Sequence, residues 1–94
     1  MLNKVVSSST FRGNLSKIFI FIAKDSKTKA TRFKNTLQKE LENLPYMPLK
    51  YRKSIYFENE TIRDFIYKGY CIPYLIDADN KRIILLDIIK WEER

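Results

Sequence analysis

The apolar positions of this 94-residue chain change their period once, near Pro45. Before it, Phe11, Leu15, Ile18, Phe19 and Ile22 fall on one face of a helix. The serine cluster Ser7–Ser9 offers an N-cap for it, and the pattern predicts an end near Lys24. Ala30, Phe33, Leu37, Leu41 and Leu44 then mark a second helix, capped by Ser26 or Thr28 and expected to stop at Pro45. A connection this short predicts an antiparallel helical hairpin. Residues 2–6, LNKVV, precede it as a short strand.

After Pro45 the period falls from 3.6 to 2. LPYMPLKYRKS reads as a connector leading into SIYF and IRDFIY, two extended segments separated by a turn around Asn59. YCIPYLID follows, then the turn signal Asp77-Ala-Asp-Asn80. RIILLDII is the most apolar segment and is expected in the middle of the sheet. Alternation along 62–77 places Tyr70, Ile72, Tyr74 and Ile76 on a core face. It assigns Arg63, Phe65, Tyr67, Cys71, Pro73 and Leu75 to the other face, if no bulge at Gly69 shifts the register. The predicted class is α+β: an N-terminal strand, an antiparallel helix pair, then a mainly antiparallel twisted sheet of three or four strands. Without an internal repeat or linker, residues 1–94 are expected to form one domain.

Composition narrows the function classes. A chain that is 45% hydrophobic with only two glycines should build a core. No apolar run is long enough to span a bilayer, and a single cysteine suits a reducing cytoplasm. The net charge of +7 implies acidic company, either nucleic acid or an acidic protein, although a cationic surface also serves solubility.

Candidate chemistry is thin. With no histidine, Cys71 lacks the usual activating base and reads as a buried structural thiol. No metal-ligand set is present, and two glycines cannot supply a phosphate loop, so no metal or cofactor is expected. The acidic residues, Asp64 among them, read mostly as turn-flanking groups. A basic, aromatic-rich strand region remains, and interleaved cations and rings suit phosphates and bases.

The order of elements, together with LENLP, YRKS, RDFIYKGYCIPYLI and IILLDIIK, resembles the RelE/ParE superfamily of bacterial toxin–antitoxin modules. Its Tyr-x-[Ile/Val]-x-Tyr strand is matched by Tyr70, Ile72 and Tyr74, and its preceding Arg-x-[Leu/Phe]-Ile segment by Arg63, Phe65 and Ile66. The resemblance implies a growth-inhibiting, cytoplasmic toxin of the plasmid-stabilisation type. Its partner would be an acidic, partly disordered antitoxin docked between the helix pair and the sheet edge.

The superfamily's branches differ in mechanism. RelE-like members cleave messenger RNA on the ribosome, without metal, and carry arginine where this chain has Cys71. They place lysines on the preceding strand, where Ile62 and Asp64 stand here. With those cations largely absent, the resemblance favours the ParE-like branch, associated with contact inhibition of DNA gyrase. The alternatives are a ribonuclease with a displaced basic site at Arg63, Lys68, Arg82 and Lys90, and a small basic nucleic-acid-binding module. Arg52, Lys53, Tyr67, Lys90 and Trp91 are the candidate contacts for target or antitoxin.

Overall fold

Two serine hydroxyls set the frame of the computed structural model, which describes residues 2–90. Ser8 Oγ accepts the Phe11 N–H at 3.1 Å, capping α1 (Ser9–Asp25), and donates to the Leu86 carbonyl at 2.9 Å. One side chain thus starts the helix and ties it to the sheet. Ser26 then serves both helices. Its N–H donates to the Ile22 carbonyl, closing α1, and its Oγ accepts the Lys29 N–H, opening α2 (Lys27–Glu42). A one-residue link with extensive contact between the helices makes the expected helical hairpin.

α2 stops at Glu42, earlier than expected. Pro45 lies inside a 3-10 turn, Leu44–Tyr46, because a proline is tolerated in a first helical turn, where its missing N–H has no partner to lose. The first strand, β1 (Lys4–Ser7), lies slightly further along the chain than the LNKVV reading placed it.

β2 (Ile62–Tyr67), β3 (Tyr70–Asp77), β4 (Arg82–Leu85) and β5 (Ile89–Lys90) follow. The sheet order is β1-β4-β3-β2, with β5 pairing with β3. β1 runs parallel to β4 and all other pairs are antiparallel. A parallel pair needs a long crossover connection, and the helix pair lies within the one used here.

The core lies between helices and sheet. Phe11, Phe33, Leu37, Leu41 and Leu44 meet Phe65, Tyr67, Ile72, Tyr74, Ile83, Leu85 and Ile88. Tyr70 and Ile76 pack against this cluster, so the predicted core face of β3 is observed. The predicted facing of β2 is reversed. Lys68 and Gly69 form a two-residue turn with φ of 44° and 83°, which puts Tyr67 opposite Tyr70, Phe65 opposite Ile72 and Arg63 opposite Tyr74. Directly opposed residues share a face, so Phe65 and Tyr67 join the core. Ile62, Asp64 and Ile66 turn to the second face with Cys71 and Pro73. A two-residue loop breaks the parity that a continuous count assumes.

SIYF is not a strand. Pairing alongside β2 amounts to the Lys53–Arg63 bridge, the Ser54 N–H donating to the Ile62 carbonyl, and the Asp64 N–H donating to the Arg52 carbonyl. Beyond these, the Ile55 N–H donates to Asp64 Oδ2 at 3.0 Å, drawing the chain over the second face.

Candidate functional site

Of the eight residues singled out from the sequence, the structure gathers few. Along β3, Lys90 pairs with Tyr70, Arg63 with Tyr74, and Arg82 with Asp77. At a rise of about 3.3 Å per residue, Lys90 and Arg82 stand roughly 23 Å apart along the strand. Lys68 sits at the Lys90 end with its ammonium 5.4 Å from the Tyr67 ring centroid. Arg63 donates to the Tyr51 carbonyl at 3.0 Å, and Arg82 Nε donates to Asp77 Oδ2 at 2.9 Å. That guanidinium and Asn80 hold the Asp77 carboxyl below its usual range, the Asn80 hydrogen bond first. These four cations do not converge on one phosphate-sized site.

The contact candidates divide in the same way. Tyr67 is 4% exposed, and its hydroxyl donates to the Phe33 carbonyl at 3.2 Å. Its ring meets Phe33 edge-on at 5.3 Å. It belongs to the core, not to a surface. Arg52 and Lys53 lie beside β2, where Arg52 pairs with Asp64 at 3.4 Å and Lys53 with Glu60 at 3.4 Å. Lys90 borders a hollow between β5 and α1 lined also by Asn14, Lys17, Phe21 and Tyr70. Trp91 lies outside the described residues.

A feature that the alternation pattern missed is Asp64. It stands in mid-strand, 1% exposed, and does not flank a turn. Its Oδ2 accepts from both the Ile55 N–H and the Arg52 guanidinium. The Cys71 thiol lies close by. Burial pushes its pKa up to about 12, and the neighbouring Asp64 carboxylate adds to the rise. Such a thiol is no nucleophile. The thiol is buried, in keeping with the structural reading of the sequence.

Asp64 draws the connector across the sheet, and the connector presents apolar groups outward. Ile55, Tyr56 and Phe57 are exposed, as is Ile66 on the adjoining β2. Tyr46, Met47 and Leu49, earlier in the connector, are exposed as well. Clustered side chains of this size in water mark an interaction surface more often than a solvated loop. The available signal was an apolar run without a period.

A second surface involves the helix pair. A groove of about 280 Å³ runs between α1, α2 and the β1–β4 edge, lined by Val5, Phe11, Leu15, Leu37, Leu41 and Leu85 among others. β1 borders it and, among the described residues, pairs on one side only, with β4. An extended segment laid there would find apolar sockets beside an open strand edge.

Among the described residues no three His, Cys, Asp or Glu side chains gather into a metal-binding group. No described helix is long and apolar enough to cross a membrane.

Comparison with known proteins places this geometry in a family. Residues 5–94 match the family described as ParE toxin of type II toxin-antitoxin system, parDE, so the chain belongs to the ParE toxin family. A solved structure titled as the chromosomal ParDE toxin–antitoxin system from P. aeruginosa superposes with a TM-score of 0.75. It has 15% sequence identity and covers 98% of each chain, a likeness of fold. No curated protein matches the sequence.

Proposed function

We propose, with membership of the ParE toxin family as premise, that this toxin inhibits DNA gyrase in the cytoplasm by protein contact and is neutralised by an acidic antitoxin. The observation carrying this reading is the dispersal of the cations. Cleaving RNA without metal requires cations converging on one phosphodiester to stabilise its developing charge. Here Lys68 and Lys90 sit at one end of β3 and Arg82 at the other, while Arg63 is committed to the Tyr51 carbonyl. The position that carries arginine in ribonuclease relatives holds Cys71, a buried thiol beside a carboxylate.

The two surfaces receive separate roles. The groove beside β1 takes the antitoxin: its apolar lining suits a segment that folds on binding, and the +7 charge steers an acidic chain toward it. The connector surface, with Ile55, Tyr56, Phe57 and Ile66 beside Arg52 and Lys53, takes the target.

Induced expression with and without the neighbouring reading frame tests this. The expected outcome is growth arrest with damaged DNA and intact messenger RNA, relieved by co-expression of an acidic antitoxin. Cut messenger RNA in the first minutes after induction would replace the gyrase reading with the ribonuclease. In a purified gyrase supercoiling assay, Ile55→Asp combined with Phe57→Asp should abolish inhibition while antitoxin binding persists.

A further inference from the structure

One acid-free stretch of α2, ahead of Glu40 and Glu42 at its end, is densely cationic. Between Lys27 and Lys39, α2 carries Lys27, Lys29, Arg32, Lys34 and Lys39 and no acidic residue. Those five of the eighteen cations supply +5 of the net +7, leaving thirteen cations against eleven acids in the rest of the chain. Among the described residues only Lys29 of the five forms an ion pair, with Asp25 at 3.8 Å, and Lys34 lies over the Phe19 ring. Lys27, Arg32 and Lys39 are exposed. Lys27, Thr28, Thr31, Arg32, Asn35 and Thr36 together line a shallow hollow made wholly of polar side chains.

We propose that this outer face of α2 docks on the phosphate backbone of duplex DNA. Lysine, arginine, threonine and asparagine are phosphate donors that position a protein on a duplex without reading bases. From Lys27 to Lys39 the row of donors extends about 18 Å, at 1.5 Å per residue. The chemistry of the face separates this partner from others. An acidic protein segment that orders on binding must bury apolar side chains to offset its lost entropy, and the hollow has no apolar side chain to receive them. A single strand is held by stacking on aromatic rings, which the face also lacks. A rigid polyanion needs only cations and donors. The inference stands apart from the gyrase reading, since it requires no protein target.

The test is fluorescence anisotropy of the full-length protein with a labelled 30-base-pair duplex, at salt concentrations from about 50 to 200 mM. Each phosphate contact adds about 0.9 to the slope of log affinity against log salt. Replacing three of them by Lys27→Gln, Arg32→Gln and Lys39→Gln should flatten that slope by about 2.7. Arg32→Gln alone should flatten it by about 0.9. Glutamine is a good helix former, and circular dichroism checks that the fold survives. The comparison variant removes as many cations elsewhere, by Lys4→Gln, Lys17→Gln and Lys50→Gln, and should leave the slope nearly unchanged.

Equal flattening by both triple variants would reduce the effect to net charge and overturn the site. No binding to duplex DNA at the lowest salt would overturn it outright. Tighter binding to single-stranded DNA or duplex RNA of the same length would overturn the assignment to duplex DNA. None of these outcomes depends on whether gyrase is inhibited.

Discussion

Asp64→Ala tests how the connector is held on the sheet. The buried carboxylate makes two contacts to the connector, and they differ in worth. The bond from the Ile55 N–H is 3.0 Å long and ends on a charged acceptor inside the protein, which is worth about 1.5–3 kcal/mol. The Arg52 contact is longer, at 3.4 Å, and the arginine side chain is 41% exposed, so solvent limits it to about 0–1 kcal/mol. Asp64→Ala loses both and should destabilise the fold by about 2–3 kcal/mol. For a domain of this size that lowers Tm by about 10 °C or more. Asp64→Asn loses the charge but keeps an oxygen for the Ile55 N–H, so it should cost about half as much. Urea unfolding gives both values, and amide exchange at Ile55 should accelerate in the alanine variant ahead of global unfolding. Equal costs for Ala and Asn would show that the backbone bond does not anchor the connector. A loss below about 0.5 kcal/mol for Ala would refute the anchor altogether.

Four further outcomes are expected. Ser8→Ala removes both the α1 cap and the tie to the Leu86 carbonyl, and chemical denaturation should show a loss of about 1–2 kcal/mol. Cys71, with its thiol raised to about 12 from 9.0, should react with a thiol reagent at pH 8 about a thousandfold more slowly than a free thiol, and at the free rate in urea. The same raised pKa keeps its stabilising contribution whole below about pH 9. Stability is then lost as pH climbs from 9 toward 12, a decline that Cys71→Ala should lessen in alkaline melts. Lys68→Asn should raise Tm, by about 0.5–1 kcal/mol of stability, because asparagine tolerates the φ of 44° better than lysine in an Asn-Gly hairpin turn.

The elements of the fold were legible wherever burial follows a period. Phe33, Leu37 and Leu41 sit in the core because a helix repeats every 3.6 residues. Ile72 and Tyr74 do so because a strand alternates. Period alone could not carry the facing through the hairpin. Whether Phe65 shares a face with Ile72 depends on how many residues the turn contains, and a lysine before Gly69 is a weak signal for a two-residue loop. The parallel pairing of β1 with β4 was equally out of reach of local pattern, since it joins residues at opposite ends of the chain.

The surfaces were harder to read, for a related reason. Ile55, Tyr56 and Phe57 carry the β-propensity of a strand, and in isolation extended structure is the sound expectation. One distant side chain changes the outcome: Asp64 accepts the Ile55 N–H, and the segment crosses the sheet where a ladder along β2 would have continued. The tyrosines misled in the opposite direction. Tyr67 looks like a stacking group in the sequence, yet its hydroxyl finds the Phe33 carbonyl and its ring the Phe33 ring, so its amphipathic character is satisfied internally. Net charge, by contrast, needed only its distribution. Once α2 is known to be a helix with Ala30, Phe33, Leu37 and Leu41 buried, the acid-free run of cations has nowhere to go but its outer faces. What sequence could not decide was whether those cations would be consumed by partners in the fold, and Lys27, Arg32 and Lys39 are exposed and outside any ion pair among the described residues.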